Sequence, residues 1–95
     1  MSARVTIDDA STPRLAPHVK LRFDEARGRW VILAPERVLM PDDIAMEIVK
    51  RCDGEATVAA IVAALAAEFG APAEEVGRDV TELLQDLADK GFVEA

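Results

Sequence analysis

The chain has 95 residues, enough for one small domain and too few for two, and its net charge of −7 argues against nucleic acid as a partner. Its single cysteine, Cys52, excludes an internal disulfide and a metal cluster built from several cysteines. No apolar run approaches the roughly 18–20 residues of a membrane span, and no apolar signal segment is visible at the start, so we expect a cytoplasmic protein with no membrane partner.

Residues 1–17 show no sustained hydrophobic period. They mix small polar residues and prolines with isolated charges, a composition typical of segments that stay loosely packed. We therefore expect residues 1–17 to form a flexible N-terminal tail and residues 18–95 to form the folded domain.

Three short segments after this tail have the pattern of β-strands. Apolar Val19, Leu21 and Phe23 alternate with charged residues, which predicts a half-buried strand. Residues 30–33 are apolar on both faces, which favours a central strand. Residues 37–40 form a short third strand between two prolines. The order predicts an antiparallel meander whose third strand is an edge.

From Asp42 onward the apolar period changes to 3.6 residues, which predicts three helices. Asp42 and Thr57 are expected N-caps, and Gly54, Gly70 and Gly91 lie at the three predicted C-terminal ends. After Gly91 the chain is expected to fold back onto the core. The apolar stripes of the helices contain Ile44, Ala45, Ile48, Val49 and Cys52, then Val58, Ile61, Val62, Leu65 and Phe69, and finally Val76, Val80, Leu83, Leu84 and Leu87.

The order β-β-β-α-α-α predicts an α+β fold in which a three-stranded antiparallel sheet is followed by a three-helix bundle. This arrangement is winged-helix-like, and winged helices often bind DNA. The third predicted helix, residues 73–90, has six acidic and two basic residues, so phosphate would repel it. Residues 41–95 carry 13 acidic and four basic residues, whereas residues 1–40 carry five acidic and seven basic ones.

Side chains that could perform chemistry are few. His18 has no neighbours in the sequence that would complete a catalytic triad or a metal site. Cys52 lies on an apolar helical face, where a free cysteine packs as a small hydrophobic residue. The acidic pairs at residues 42–43 and 74–75 lie in first helical turns, where they complement the helix dipole. We therefore expect no enzymatic activity, no cofactor and no metal site.

The third strand suggests how such a domain could interact with a partner. An open sheet edge at residues 37–40 presents unpaired N–H and C=O groups, to which an extended peptide can add as a further strand. One alternative is that the N-terminal tail covers this edge. Two other functions remain open. The domain is either a winged-helix-like regulator or a subunit that stabilises an enzyme without binding a peptide. In the second case the alanine-rich face of the second helix would contact the enzyme, whereas the alternative reading of this face is helix propensity alone.

Short stretches between Pro13 and Val93 form a recognisable series. They are Arg14-Leu15-Ala16-Pro17, Trp30-Val31-Ile32-Leu33-Ala34-Pro35-Glu36, Glu47-Ile48, Cys52-Asp53-Gly54, Thr57-Val58-Ala59-Ala60-Ile61 and Leu83-Leu84-Gln85-Asp86-Leu87. In order and spacing they resemble the PqqD family, the peptide chaperones of pyrroloquinoline quinone (PQQ) biosynthesis. The resemblance covers most of the chain.

The resemblance implies a recognition element for ribosomally synthesised and post-translationally modified peptides (RiPPs). Members of the family bind the precursor peptide PqqA and present it to PqqE, a radical S-adenosylmethionine (SAM) enzyme that crosslinks a Glu and a Tyr of the peptide. Some members are fused to the oxidase PqqC. In related recognition elements the peptide adds to the third strand and lies against a helix, commonly the third. The resemblance therefore implies a peptide-binding site at Arg37, Val38, Leu39 and Met40, with Arg78, Leu84 and Leu87 from the third helix.

Overall fold

The computed structural model describes residues 5–95 of the chain. Its elements in chain order are β1 (Arg14–Leu15), β2 (Lys20–Asp24), β3 (Arg29–Ala34), β4 (Arg37–Leu39), α1 (Asp43–Lys50), α2 (Val58–Phe69), α3 (Ala73–Asp89) and β5 (Val93–Glu94). Strands β2, β3 and β4 form a three-stranded antiparallel sheet. Strands β1 and β5 pair with each other in a second, two-stranded sheet. The predicted α+β fold, a meander followed by three helices, is confirmed.

Strand β3 is central because both of its faces are apolar. Val31 and Ile32 point to opposite faces of the sheet, and they are only 4% and 1% exposed. Ile32 packs in the main core with residues of all three helices. At the far end of β2, Phe23 is 44% exposed, more than its place in the alternation predicts, and its ring packs edge-on against Trp30, which is itself 38% exposed.

The helices begin close to the predicted residues because their caps are formed locally. The carboxylate of Asp42 accepts from the backbone N–H of Ala45 at 2.8 Å, and the hydroxyl of Thr57 accepts from that of Ala60 at 3.1 Å. Gly70 ends α2 in the left-handed conformation, with a φ of 61°. Within residues 5–95, none of the helices combines the length and the hydropathy that a bilayer crossing requires.

The core joins the central strand to the helices and to the end of the chain. Among its fully buried side chains are Ile32, Ile61, Leu84 and Phe92. The burial of Phe92 confirms that the chain folds back after α3. Because Phe92 also carries backbone bonds to neighbouring elements, the last residues are an integral part of the fold.

Two residues of the predicted apolar stripes are exposed instead. Ile44 and Phe69 lie at helix ends, where fewer neighbours cover them, and they are 63% and 53% exposed. With Val76 they line a small surface cavity. The first helix also ends earlier than predicted. Arg51 is its C-cap, because the backbone N–H of Arg51 already bonds within the last turn, and Gly54 lies in the link that follows.

Residues 5–17 make contacts that their composition does not predict. Ile7 is 5% exposed, β1 pairs with β5, and the backbone oxygens of Asp9 and Ser11 accept from the first N–H groups of α2. This packing differs from the loose arrangement expected for the segment, because long-range backbone pairing leaves no periodic signal in a sequence. Residues 1–4 lie outside the described part of the chain, and the division at residue 18 stays a prediction.

Candidate functional site

The outer edge of β4 has no strand partner in the part of the chain that the structure describes. Among the described residues, strand β4 pairs with β3 on its inner side only. Val38 in the middle of β4 and Met40 directly after it are 57% and 51% exposed. Residues 5–17, which were one candidate to cover this edge, bond instead to α2, α3 and β5. The described part of the N-terminal segment therefore leaves β4 open.

The register of the β3–β4 hairpin determines which backbone groups face outward. Ala34 and Arg37 pair across a two-residue turn, and the pair that closes such a turn is hydrogen-bonded. Bonded and non-bonded pairs alternate along an antiparallel ladder, so the N–H and C=O of Val38 point away from β3. Val38 thus offers one donor and one acceptor to a strand added at this edge.

The chain is held on either side of β4. In the turn before it, Glu36 has a φ of 62°, the conformation that a type II turn requires after Pro35. After β4, the guanidinium of Arg29 donates to the carbonyl oxygen of Pro41 at 2.7 Å. The Nε of Arg29 is buried and has no hydrogen-bond partner within residues 5–95. Both flanks of the edge strand are therefore constrained.

A groove of about 290 Å³ lies between β4 and α3. Its floor is aliphatic, since Ile32, Val49 and Leu87 are at most 4% exposed. The residues that line it are Ile32, Leu39, Met40, Pro41, Asp42, Ala45, Val49, Leu83, Asp86, Leu87 and Lys90. Alternate side chains of a strand added to β4 would point toward this groove. The open edge and the groove therefore form one candidate site for an extended, partly apolar peptide.

The charged groups at the rim of the groove already have contacts within the fold. Asp42 caps α1, and the side chains of Asp86 and Lys90 form an exposed ion pair with an N–O distance of 3.0 Å. Exposed pairs of this kind contribute little free energy. A ligand of the groove would therefore gain most of its affinity from backbone and apolar contacts.

The structure brings three of the predicted site residues together at the groove, namely Leu39, Met40 and Leu87. Val38 belongs to the edge through its backbone, but its side chain lies on the opposite face of the sheet, in a cavity that Leu33 also lines. The side chain of Val38 is therefore not part of the groove.

The remaining predicted residues lie elsewhere. Leu84 is 0% exposed and belongs to the core, Arg78 is exposed on α3 and does not line the groove, and Arg37 extends its side chain toward the end of α3. Leu83 lines the groove although the prediction named its neighbour Leu84. The sequence signal for Leu83 was its place in the apolar stripe, which does not distinguish a groove from a core.

Cys52 packs in the core, and His18 lies at the surface. Burial raises the pKa of the Cys52 thiol to about 12, and the charge of Asp53 adds to this shift. The thiol also donates to the carbonyl oxygen of Ile48 at 3.4 Å. A neutral, buried thiol is a poor nucleophile. His18 is exposed, and within residues 5–95 no cluster of three or more His, Cys, Asp or Glu side chains is arranged to hold a metal ion.

Comparisons with known proteins match nearly the whole chain. The family model for PqqD, described as coenzyme PQQ synthesis protein D, matches residues 29–93. A protein from Rhodopseudomonas palustris (strain BisB5), named PqqA binding protein, is 59% identical over 92 residues, which cover 97% of this chain and 90% of that protein.

Two solved structures share the fold. The first is the solution NMR structure of the PqqD truncation of Methylobacterium extorquens PqqCD, described as a functional and stand-alone RiPP recognition element. It has a TM-score of 0.82 and 37% identity, and the match covers 95% of this chain and 96% of that one. A lasso peptide synthetase B1 complexed with the leader peptide has a TM-score of 0.76 and 22% identity, with 90% of this chain and 100% of that one covered. At this identity the second match shows the fold alone.

Proposed function

This chain belongs to the PqqD family, and from that membership we propose that it is a peptide chaperone that binds the precursor PqqA by strand addition at β4. It then presents the bound peptide to the radical SAM enzyme PqqE and performs no reaction itself. The observation that carries the proposal is the outer edge of β4, which no strand of residues 5–95 pairs with, beside an apolar groove. Relatives named PqqA binding protein, with identities of 59% and 52%, support the choice of peptide.

In this proposal the two kinds of contact have different roles. The peptide backbone pairs with the outward N–H and C=O of Val38, which fixes the extended conformation of the peptide. Alternate peptide side chains enter the groove between Leu39 and Leu83 and contact Met40 and Leu87. Each aliphatic side chain that is fully buried there contributes about 1.5–3 kcal/mol, so the groove selects apolar residues two positions apart.

Two of the predicted residues have less direct roles. Leu84 supports the helical wall of the groove from the core, and Arg78 remains a proposed contact for a peptide segment that continues past the groove. The edge is short, and a flexible peptide loses conformational entropy when it is ordered. We therefore expect a micromolar dissociation constant, equivalent to about −8 kcal/mol.

The partners in this proposal act on the same peptide. We propose that binding occurs in the cytoplasm, where a ribosomal precursor is made, and that PqqE receives the peptide there. The Methylobacterium extorquens relative is a truncation of a PqqCD chain, which supports PqqC as a further associated protein. A measurement of PqqE-catalysed crosslinking of PqqA, with and without this chain, tests the transfer step, since a chaperone should increase the rate.

The substitution V38P tests the edge-strand site. Proline removes the N–H of residue 38, which points away from β3, and its ring blocks a neighbouring strand at that position. The ladder to β3 keeps its bonds, so the domain should stay folded. We expect binding of labelled PqqA to weaken at least about tenfold, as judged by fluorescence anisotropy.

The matched control is V38A, which keeps the N–H and removes only a side chain on the opposite face of the sheet. V38A should bind within about threefold of the wild type. Circular dichroism establishes that both variants are folded. Wild-type affinity in a folded V38P would show that the peptide binds elsewhere.

A further inference from the structure

We propose that Arg37 is a positioning residue that holds the two walls of the groove at a fixed spacing, so that the binding site exists before the peptide arrives. The inference rests on the proposed function, because it assigns Arg37 a part in that peptide binding. It differs from the sequence prediction, in which Arg37 contacts the peptide.

The side chain of Arg37 crosses from one wall of the groove to the other. Arg37 begins β4, and its Nη1 donates to the carbonyl oxygen of Lys90 at 2.9 Å. Its guanidinium carbon lies 4.3 Å from the centroid of the Phe92 ring. Lys90 is the C-cap of α3 and also lines the groove. One side chain therefore links the strand wall to the end of the helical wall.

The residue on which Arg37 stacks is itself fixed. Phe92 is 1% exposed, its N–H donates to the carbonyl oxygen of Leu87 at 2.9 Å, and its own carbonyl oxygen accepts from Ala16 at 3.0 Å. Leu87 lies on the floor of the groove. Because Phe92 is bonded to both α3 and the N-terminal segment, a guanidinium that stacks on it fixes β4 relative to α3.

Strand β4 needs such a link because it is three residues long and, within residues 5–95, pairs on one side only. Without the link, the outer end of the hairpin could move relative to α3, and the peptide would have to order the site as it binds. A site that is already ordered binds more tightly because less entropy is lost. Loss of the Arg37 contacts should therefore lower the affinity for the peptide even in a folded domain.

The test compares R37M and R37K with the control R22M at a temperature at which all the proteins are folded. Arg22 is exposed on β2 and lines the cavity on the opposite face of the sheet, so R22M removes the same charge and leaves the groove intact. In titrations with labelled PqqA, we expect about tenfold weaker binding for R37M, about threefold for R37K and less than twofold for R22M.

A second readout separates positioning from simple stabilisation. Residual dipolar couplings of the amides in β4 and α3 report the relative orientation of these elements in the free domain. They should change in R37M and stay as in the wild type in R22M, whereas a role in stability alone would leave them unchanged while the protein is folded.

The possible results distinguish the two proposals. If V38P abolishes binding but R37M binds like the wild type, the positioning role of Arg37 is wrong and the strand-addition site remains. Unchanged couplings in R37M would also refute the positioning role. If the wild-type domain does not bind PqqA, the proposed function fails, and the inference about Arg37 fails with it.

Discussion

Among individual residues, Cys52 has the clearest electrostatic consequence. Desolvation in the core raises the pKa of its thiol from 9.0 to about 12. In the unfolded chain the thiol ionises near its ordinary pKa. As the pH rises, the thiol therefore ionises in the unfolded state before it ionises in the folded state, and this ionisation stabilises the unfolded state. The stability that the neutral thiol contributes is therefore complete below about pH 9 and is lost as the pH rises toward about 12.

A comparison of the wild type with C52A at two pH values measures this effect. The stability advantage of the wild type over C52A should shrink between about pH 8 and about pH 10.5, because only the wild type carries the buried thiol. Lysines titrate in both proteins and cancel in the difference. Urea unfolding gives the free energies, and an advantage that does not change with pH would contradict the assignment.

The sequence predicted the environment of Cys52 but not that of Leu83. Cys52 continues an apolar stripe with a period of 3.6, which is sufficient to indicate packing. Leu83 and Leu84 are adjacent, roughly 100° apart around the helix, and both belong to one stripe. Which of them faces the groove depends on where β4 lies, and that position is a tertiary property that helical periodicity does not contain.

Among the secondary-structure elements, α2 has an N-terminus that two parts of the chain cap together. Backbone oxygens within residues 9–11 accept from Val58 and Ala59 at 2.9 and 3.1 Å, and the hydroxyl of Thr57 accepts from Ala60 at 3.1 Å. Three N–H groups that the start of a helix leaves without helical partners are thereby satisfied.

The substitution T57A should lower the free energy of unfolding by about 1 kcal/mol, because the N–H of Ala60 loses its acceptor. For a domain of this size the corresponding decrease in Tm is about 4–8 °C. T57S keeps the hydroxyl, so its free energy of unfolding should fall by only a few tenths of the decrease expected for T57A. Since α2 does not line the groove, both variants should bind PqqA normally. Equal thermal stability of T57A and T57S would show that the cap contributes nothing.

Local patterns predicted β2, β3, β4, the three helices and most of the caps, because each depends on residues close in the chain, whereas β1 and β5 were not predicted. Thus the alternation around Leu21 and the caps at Asp42 and Thr57 have the predicted counterparts in the structure. Several backbone bonds of residues 5–17 join groups that are 40 or more positions apart in the chain, as in the bond from Val58 to Ser11. Such bonds place no demand on residue type, so the sequence alone does not show them.

For the whole molecule, the N-terminal segment connects elements that are distant in sequence. Ile7 is buried in the main core, and its backbone N–H donates to the side-chain oxygen of Gln85 in α3 at 2.9 Å. The side-chain amide of Gln85 in turn donates to the carbonyl oxygen of Val5 at 2.7 Å. The open edge of β4 is not involved in these contacts. Stability and peptide binding should therefore depend on different parts of the fold.

The substitution I7A tests two predictions together: that stability and peptide binding depend on different parts of the fold, and that the N-terminal segment is a flexible tail. If residue 7 packs in the core, I7A should cost about 2–4 kcal/mol in urea unfolding, as other buried isoleucines do. The control I44A removes an isoleucine that is 63% exposed and should change stability by less than about 0.5 kcal/mol. Below its melting transition, I7A should still bind PqqA with wild-type affinity. A flexible tail requires instead that I7A and I44A be equally harmless, and that result would move the start of the folded domain back to residue 18.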